Sequence, residues 1–441
     1  MRRLGLVLAA VVAFATSAVA EKTKFDLWHG LSGDLAGVVE QVCQRFNTSQ
    51  ADYEIVCTSQ GTYDAALQNA IAAYRAKKAP TIVQVFDVGT LDMLLSDAIV
   101  PAHQLMAENG YSIDWSDYFA SVSDYYADSK GKLSSFPFNS STAMLYWNTD
   151  ALAKIGRSEA PQTIEDFAAA MQALKGAGYD CPFAWDYYVW IAVEQFSAIH
   201  NLPVATRANG REGLDAELVF NTTRLVDFIK LLKGAYDRGE LKIKTAATGQ
   251  GVVQAFASGA CQMMFSSIGD HGTVGKTAGP DLHWDVAPLP VYAGTQRRSS
   301  LVGGASLWVL KSHGAGQYKG AAAFFNFLAT PEAALFWSTN TGYIPVTKSS
   351  FEFMQAQGFY DKAPVKGRER AIASLTASPE SPPSRGVRLG GFVQIRKEIT
   401  DAMVEIISGK ASVEEALNAA AMRGNVVLRR FEKTYAGKAM P

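Results

Sequence analysis

The sequence predicts an exported protein made of two α/β lobes. Three observations carry this: an export-type N-terminus, strands that alternate with amphipathic helices, and no constellation of catalytic residues. Arg2 and Arg3 form a positive n-region, Leu4 to Ala15 a short apolar stretch, and Ala18-Val19-Ala20 a small-x-small cleavage signal, so residues 1–20 are expected to be a signal peptide. The apolar stretch is too short to span roughly 30 Å of hydrocarbon as a helix. Cleavage before Glu21 leaves about 421 of the 441 residues, enough for two domains with cores of ordinary size. No Cys stands at the cleavage point, the first being Cys43, so a free periplasmic protein is expected rather than a lipid-anchored one.

The mature chain opens strand, helix, strand. Lys24 to Trp28 alternates polar and apolar residues. Leu35, Val38, Val39, Val42, Cys43 and Phe46 then fall on one helical stripe, and Tyr53 to Val56 is a second strand. A helix over Tyr63–Lys77 and the apolar strand Thr81–Phe86 follow. Strands separated by helices of this length predict a parallel sheet covered on both faces. Further on, helices are expected over Thr163–Ala177, with Thr163-Ile164-Glu165-Asp166 as an approximate capping box, and over Thr222–Gly239. Gly303-Gly304-Ala305-Ser306 leads into the strand Leu307–Leu310, where Trp308 reads as core. Helices are expected at Gly320–Leu328, after Pro331, over Phe392–Gly409 and from Ser412 onward, with Ser378–Arg385 as an irregular loop.

Formal net charge is −1, and about −3 without Arg2 and Arg3, so the chain has no global field to gather nucleic acid or anionic membranes. Any preference for anions must be local. Four Cys in an exported chain predict disulfides. Of the three possible pairings, Cys43 with Cys57 is favoured because a helix and the strand after it lie close, and Cys181 then pairs with Cys261. The six His are scattered and CxxC spacings are absent, so no metal site and no cofactor is expected. The glycines at 303–304 do not make a GxxxxGK[ST] loop, no GxSxG elbow is present, and Ser141 has no assignable His partner. Two lobes without a catalytic signature suggest a protein that closes around a solute at the carboxyl ends of its strands.

Six short segments carry more specific information. Trp28-His29-Gly30, Gln84 to Thr90, Pro137 to Thr142, Gly303 to Val309, Thr341 to Pro345, and Arg388-Leu389-Gly390 to Gln394-Ile395-Arg396 occur in that order. Together they resemble the glycerol-3-phosphate-binding periplasmic proteins of ABC importers, within extracellular solute-binding family 1. The resemblance extends from about residue 24 to Arg429-Arg430-Phe431-Glu432-Lys433. It implies the type II, maltose-binding-protein-like fold, with a ligand cleft between hinged lobes. The expected division is 21–137 with 287–345 in one lobe and 138–286 with 346–441 in the other. The implied partners are a small phosphorylated solute, sn-glycerol-3-phosphate or a glycerophosphodiester such as glycerophosphocholine, and the permease subunits with their cytoplasmic ATPase. A monomer is implied, and no enzymatic activity.

The resemblance also implies a ligand set. Tyr63 and Asp87 match the residues facing the glycerol end, and Ser141, Ser267, the Gly304 N–H, Tyr343 and Arg396 match the phosphate-side donors. A phosphate offers acceptor oxygens, so it calls for converging donors, and a guanidinium can grip it with two parallel hydrogen bonds. A carboxylate suits glycerol hydroxyls and would repel phosphate, which places Asp87 and Arg396 at opposite ends. Two positions depart from the pattern. Asp87 stands where relatives carry Glu, one methylene longer. In Trp185-Asp186-Tyr187-Tyr188-Val189-Trp190, Trp190 matches a ligand-facing tryptophan but Tyr187 replaces another. Both could shift selectivity towards larger headgroups. Two rival readings remain: an oligosaccharide receptor of an importer, which predicts more cleft tryptophans and no arginine poised for phosphate, and a secreted phosphodiester hydrolase, which predicts turnover.

Overall fold

The protein is described by a computed structural model over residues 21–362 and 365–441, so the expected signal peptide lies outside the described residues. Among the described residues, eleven strands form two sheets. They are β1 (Thr23–His29), β2 (Tyr53–Ser59), β3 (Ile82–Phe86), β4 (Ile99–Val100), β5 (Phe136–Ser141), β6 (Ala143–Asn148), β7 (Phe183–Trp185), β8 (Leu241–Ile243), β9 (Met263–Ser267), β10 (Trp284–Pro288) and β11 (Gly303–Leu310). The first sheet has the order β2-β1-β3-β11-β4, with β5 also paired to β11, and the second the order β10-β6-β9-β7-β8. Each sheet anchors one lobe.

Local chemistry explains why the elements form where they do. The helix Gly33–Ser49 buries Val38, Val39, Val42, Cys43 and Phe46, the apolar stripe read from the sequence, against β1 and the helix Ala315–Leu328. Thr62 caps the helix Tyr63–Arg75 by accepting the Ala65 N–H, and Thr163 caps Ile164–Gly176 by accepting that of Asp166. Ser412 and Glu415 form a full capping box on the last helix, Val413–Thr434. Trp308 lies in the core with none of its surface exposed.

The three opening strands pair in parallel as expected, but later strands make both sheets mixed. β1 is parallel to β2 and β3, but β11 is antiparallel to β3, β4 and β5. The reason is connectivity. β11 does not follow a crossover helix from its neighbours; it arrives from the second lobe and therefore enters the first sheet at the end where β3 leaves it. In the second sheet β6 is likewise antiparallel to both β9 and β10, while β7 is parallel to β8 and β9.

The chain passes between sheets at Thr142, which joins β5 to β6, and again over residues 289–302. The expected division at 137 therefore falls inside β5, which stays with the first sheet to Ser141, and that at 287 falls inside β10. The two crossings are stitched together: Thr142 Oγ1 lies 2.8 Å from Ser300 Oγ and donates to the Leu301 carbonyl at 2.9 Å.

Both disulfides form as expected from the sequence, Cys43–Cys57 and Cys181–Cys261. The second joins residues two positions before β7 and β9, whose register pairs Phe183 with Met263, so strand pairing brings the two sulfurs level. The loops they close differ greatly, with sequence separations of 14 and 80. Because closing a longer loop removes more entropy from the unfolded chain, replacing Cys181 and Cys261 by Ser should cost roughly 4–5 kcal/mol, against roughly 3 kcal/mol for Cys43 and Cys57. Denaturant melts of the two double variants check the order; equal losses would contradict it.

Candidate functional site

Sheet register assembles one row of polar groups where the lobes meet. β3 ends at Phe86 and β11 begins at Gly303, with Ala305 paired to Phe86, Gly304 to Ser140 and Gly303 to Ser141. Asp87, Ser141 and Gly304 therefore share the cleft edge of the first sheet. Across the Thr142 crossing, β9 ends at Ser267, which pairs with Ala143 and faces the same seam. The Ile268 N–H donates to the Thr142 carbonyl at 2.9 Å and fixes the two edges together.

A chain of buried amides and phenols runs along the first edge. The Gly30 N–H donates to Gln84 Oε1 at 2.8 Å, Gln84 Nε2 to Asn139 Oδ1 at 2.7 Å, and Asn139 Nδ2 to the Tyr63 hydroxyl at 2.7 Å. The Tyr63 hydroxyl lies 3.4 Å from that of Tyr343, while its ring stacks on Phe86 with centroids 5.5 Å apart. Each group satisfies the next, so both phenols are held in place at little polar cost. Tyr343 is set by its neighbour Ile344, whose N–H donates to the Ser140 carbonyl at 3.0 Å. Ser267 Oγ accepts the Gly269 N–H at 3.0 Å, which leaves its O–H to donate.

Gly304 needs to be glycine. Its φ is 111°, and a Cβ there would sit 1.9 Å from the Asn139 carbonyl oxygen. Gly303 lies against Trp190, where a Cβ would approach Cζ2 to 2.2 Å. Trp190 opens a π-helix, Trp190–Gln195, a geometry found often at functional sites. The same six residues supply Gln195, whose side chain holds the Leu301 backbone from both sides at 2.7 and 3.0 Å, and Glu194.

Glu194 is the buried acid of this cleft that sequence reasoning missed. It grips Arg396 with two hydrogen bonds, Nε to Oε1 at 2.7 Å and Nη2 to Oε2 at 2.8 Å. Arg396 Nη2 also donates to Asp87 Oδ1 across the lobes at 3.2 Å. The Glu194 side chain is 1% exposed, that of Asp87 6% and that of Arg396 12%. With both carboxylates ionised, as they are above about pH 6, this buried trio carries a net charge of −1. Burial pushes the Asp87 carboxyl above its ordinary range, Arg396 pulls it down, and Glu194 pushes it further up. Burial works against the Arg396 charge as well, but Glu194 and Asp87 outweigh it and hold the guanidinium above its usual value.

Two chemical expectations are corrected here. The fork of Arg396 is engaged by Glu194, so it cannot give a ligand the two parallel bonds of a planar grip; among the described residues its hydrogen bonds leave Nη1 unengaged. Asp87 and Arg396 do not stand at opposite ends of the cleft, because sheet register brings Asp87 onto the guanidinium.

The structure brings together Tyr63, Asp87, Ser141, Ser267, Gly304, Tyr343, Arg396 and Trp190 along the seam. It does not bring Tyr187 to the trio. Tyr187 has a φ of 65° and turns its ring onto Trp185, 5.2 Å away. The adjacent Tyr188 takes that place: its ring lies 5.6 Å from Trp190, and burial raises its phenol while Arg396, Asp87 and Glu194 all act on it. Glu194 and Gln195 could have been found as two polar residues interrupting the apolar run from Ile191 to Phe196, and Gln84 as the polar residue within Ile82–Phe86.

A second contact between the lobes titrates. Asp92, on the helix Thr90–Leu95, accepts the Gly391 N–H at 3.3 Å at the start of the helix Phe392–Ile407 that carries Arg396. Burial pushes the Asp92 carboxyl up to about 6 even though Gly391 stabilises its charge. The folded state thus binds this proton more tightly than the unfolded chain, where the group titrates near ~4. Its contribution is fully present below about pH 4 and declines as pH rises towards 6. Asp92→Asn keeps an oxygen for Gly391 and should gain melting temperature relative to the native protein between pH 4 and pH 7; a difference that stays constant over that range would rule this out. Gly304→Ala is expected to cost about 2 kcal/mol or more from clash and backbone strain combined, read as a lowered midpoint in thermal melts.

The sn-glycerol-3-phosphate-binding periplasmic protein UgpB of Escherichia coli (strain K12) is 38% identical over 418 residues, covering 93% of this chain and 94% of that protein. Its namesake from Yersinia enterocolitica is 37% identical over 440 residues, 98% of each chain. Among solved structures, UgpB from Mycobacterium tuberculosis in complex with glycerophosphocholine superposes with a TM-score of 0.75 at 18% identity, covering 93% of this chain and 100% of that one. The sugar-binding protein MalE of Xanthomonas citri gives 0.74 at 18% identity over 95% and 100%. These last two share the two-lobed fold. Residues 41–364 match the family model described as bacterial extracellular solute-binding protein, and with relatives this similar over nearly its full length, the chain belongs to that family.

Proposed function

We propose that this protein is the periplasmic receptor of an ABC importer, and that it captures sn-glycerol-3-phosphate, and glycerophosphodiesters such as glycerophosphocholine, for delivery to the membrane permease. The observation that carries the reading is the seam itself. Ser141, Ser267, the Gly304 backbone and Tyr343 line the edges where the sheets meet, and with the free Nη1 of Arg396 they make a donor set of the kind an anionic ligand with several acceptor oxygens requires. The names borne by relatives 38% identical over nearly the whole chain support the same ligand.

In this reading Arg396 stands between the phosphate and the carboxylates. Nη1 faces the ligand, while Nε and Nη2 face Glu194 and Asp87, so the guanidinium screens the phosphate from two negative charges. Tyr63 and Asp87 take the glycerol hydroxyls, and Trp190 with Tyr188 lines the cleft. The lobes comprise about 21–141 with 303–345, and 143–302 with 346–441. The protein works as a monomer in the periplasm after loss of residues 1–20. No helix among the described residues is long and apolar enough to cross a membrane.

The oligosaccharide reading draws on fold likeness to sugar-binding neighbours, at 18% identity or below. A buried arginine in the cleft favours the phosphorylated ligand. The hydrolase reading would require cleavage of glycerophosphocholine to a phosphomonoester and a free alcohol, choline or glycerol, on prolonged incubation, a signal the receptor reading excludes. The deciding measurement is a thermal-shift and calorimetric screen of glycerol-3-phosphate, glycerophosphocholine and maltodextrins. The phosphorylated ligands should raise the melting temperature with the logarithm of their excess, by about 2.7 kcal/mol at a hundredfold Kd. Arg396→Ala should weaken them by about 2 kcal/mol or more. Stabilisation by maltodextrin alone, or undiminished affinity in Arg396→Ala, would reject the assignment.

A further inference from the structure

Glu194 lies outside the residues that resemblance assigns to the ligand, yet it fixes the only guanidinium in the trio. Its carboxylate is held within a π-helix whose first residue, Trp190, packs on Gly303 and whose last, Gln195, is hydrogen-bonded twice to Leu301. That frame has little freedom to move. The groups acting on the trio from neighbouring elements are Tyr125 and Tyr126 on the helix Ala120–Tyr126, together with Tyr188. Burial holds the Tyr125 and Tyr126 phenols above their ordinary range, and Tyr188, though 46% exposed, is shifted the same way, so all three stay neutral. The charge of the site is therefore set by Asp87, Glu194 and Arg396.

We infer that Glu194 is a positioning and selectivity residue: by clamping the Arg396 fork it presents only Nη1 to the cleft, and by adding a second carboxylate it makes the site accept a phosphate carrying one negative charge in preference to two. The proposal rests on the reading that the phosphate meets Nη1. A phosphodiester carries one charge at all pH values of interest. A phosphomonoester carries one below its second ionisation near ~6 and two above it. In a buried site with a surplus carboxylate, the second charge meets repulsion that water screens poorly. Glycerol-3-phosphate should thus bind as its monoanion and tighten as pH falls, whereas a glycerophosphodiester should bind with little dependence on pH.

The test is calorimetry of glycerol-3-phosphate and glycerophosphocholine on the full mature chain between pH 7 and pH 8, above the range near 6 where Asp87 itself takes up a proton, for the native protein, Glu194→Gln and Glu194→Asp. In the native protein, monoester affinity should rise on the order of tenfold from pH 8 to pH 7, while diester affinity stays level. Glu194→Gln removes the surplus charge, so the diester-to-monoester affinity ratio at pH 8 should fall by on the order of tenfold, and the monoester pH profile should flatten. Glu194→Asp keeps the charge but shortens the reach, so both ligands should weaken together with the ratio and the pH profile retained. A purely structural role would lower the melting temperature and weaken both ligands alike in Glu194→Gln, leaving ratio and profile unchanged; that result overturns the proposal. Should Glu194→Gln fail to fold, a flat monoester profile in the native protein overturns it equally. If the native protein binds neither ligand, the phosphate reading itself fails, and the role of Glu194 with it.

Discussion

One guanidinium shared by two buried carboxylates is the constraint around which the cleft is arranged. Arg396, Glu194 and Asp87 come together from three separate pieces of chain, the end of β3 in one lobe and two helices of the other. None could be buried alone, because an unpaired charge taken out of water costs several kcal/mol. The pairing is unequal. Glu194 makes two short bonds with the fork, and Asp87 only one longer bond of 3.2 Å across the lobes. Arg396 is thus fixed within its own lobe, and the contact to the other lobe is the weaker one. That order suits a hinge: the donor remains aimed when the lobes part, and the bond that breaks is the one that costs least.

The shorter acid at position 87 acquires a meaning from this geometry. A longer side chain at the same strand end would reach further onto Nη2 and compete with Glu194. Asp87 stops short, with Oδ1 held by the Val88 N–H at 2.7 Å as well as by Arg396. Its position comes from the backbone turn after β3, so it is set by the sheet and not by a flexible stem. Tyr187 and Tyr188 illustrate the opposite case, where a left-handed backbone at Tyr187 rotates the pair and sends the second ring, not the first, towards the trio.

Much of this was legible in the sequence where a local rule governs. The stripe from Val38 to Phe46, the caps at Thr163 and Ser412, the core position of Trp308 and both disulfides follow from periodicity, capping chemistry and the proximity of a helix to its next strand. Strand direction was not, because β11 is antiparallel only by virtue of returning from the other lobe, a fact of connectivity with no local signature. The site residues were recognisable as a set through their motifs, yet their mutual contacts were not. Sorting Asp87 and Arg396 to opposite ends followed from pairwise electrostatics, whereas the structure solves the same problem by placing the guanidinium between the charges. Glu194 escaped because a lone acid in an apolar run reads as a helix-surface residue until the partner that neutralises it is known.

A surplus of negative charge in a cleft meant for an anion is less paradoxical than it looks. Uniform attraction would bind any phosphate, including the inorganic ion, and would hold it too firmly to release. Here the attractive part is narrow, since one nitrogen of Arg396, two hydroxyls, a phenol and a glycine N–H must all be met at once, while the repulsive part acts on total charge. Selectivity then arises as a difference between the two, in the way specific sites commonly combine fitted contacts with a deliberate penalty for competitors. On the proposed reading, ligand hydroxyls add to the balance by donating to Asp87, a carboxylate that a bare phosphate would leave unsatisfied, so the trio that positions the donor also disfavours ligands that bring charge without hydroxyls.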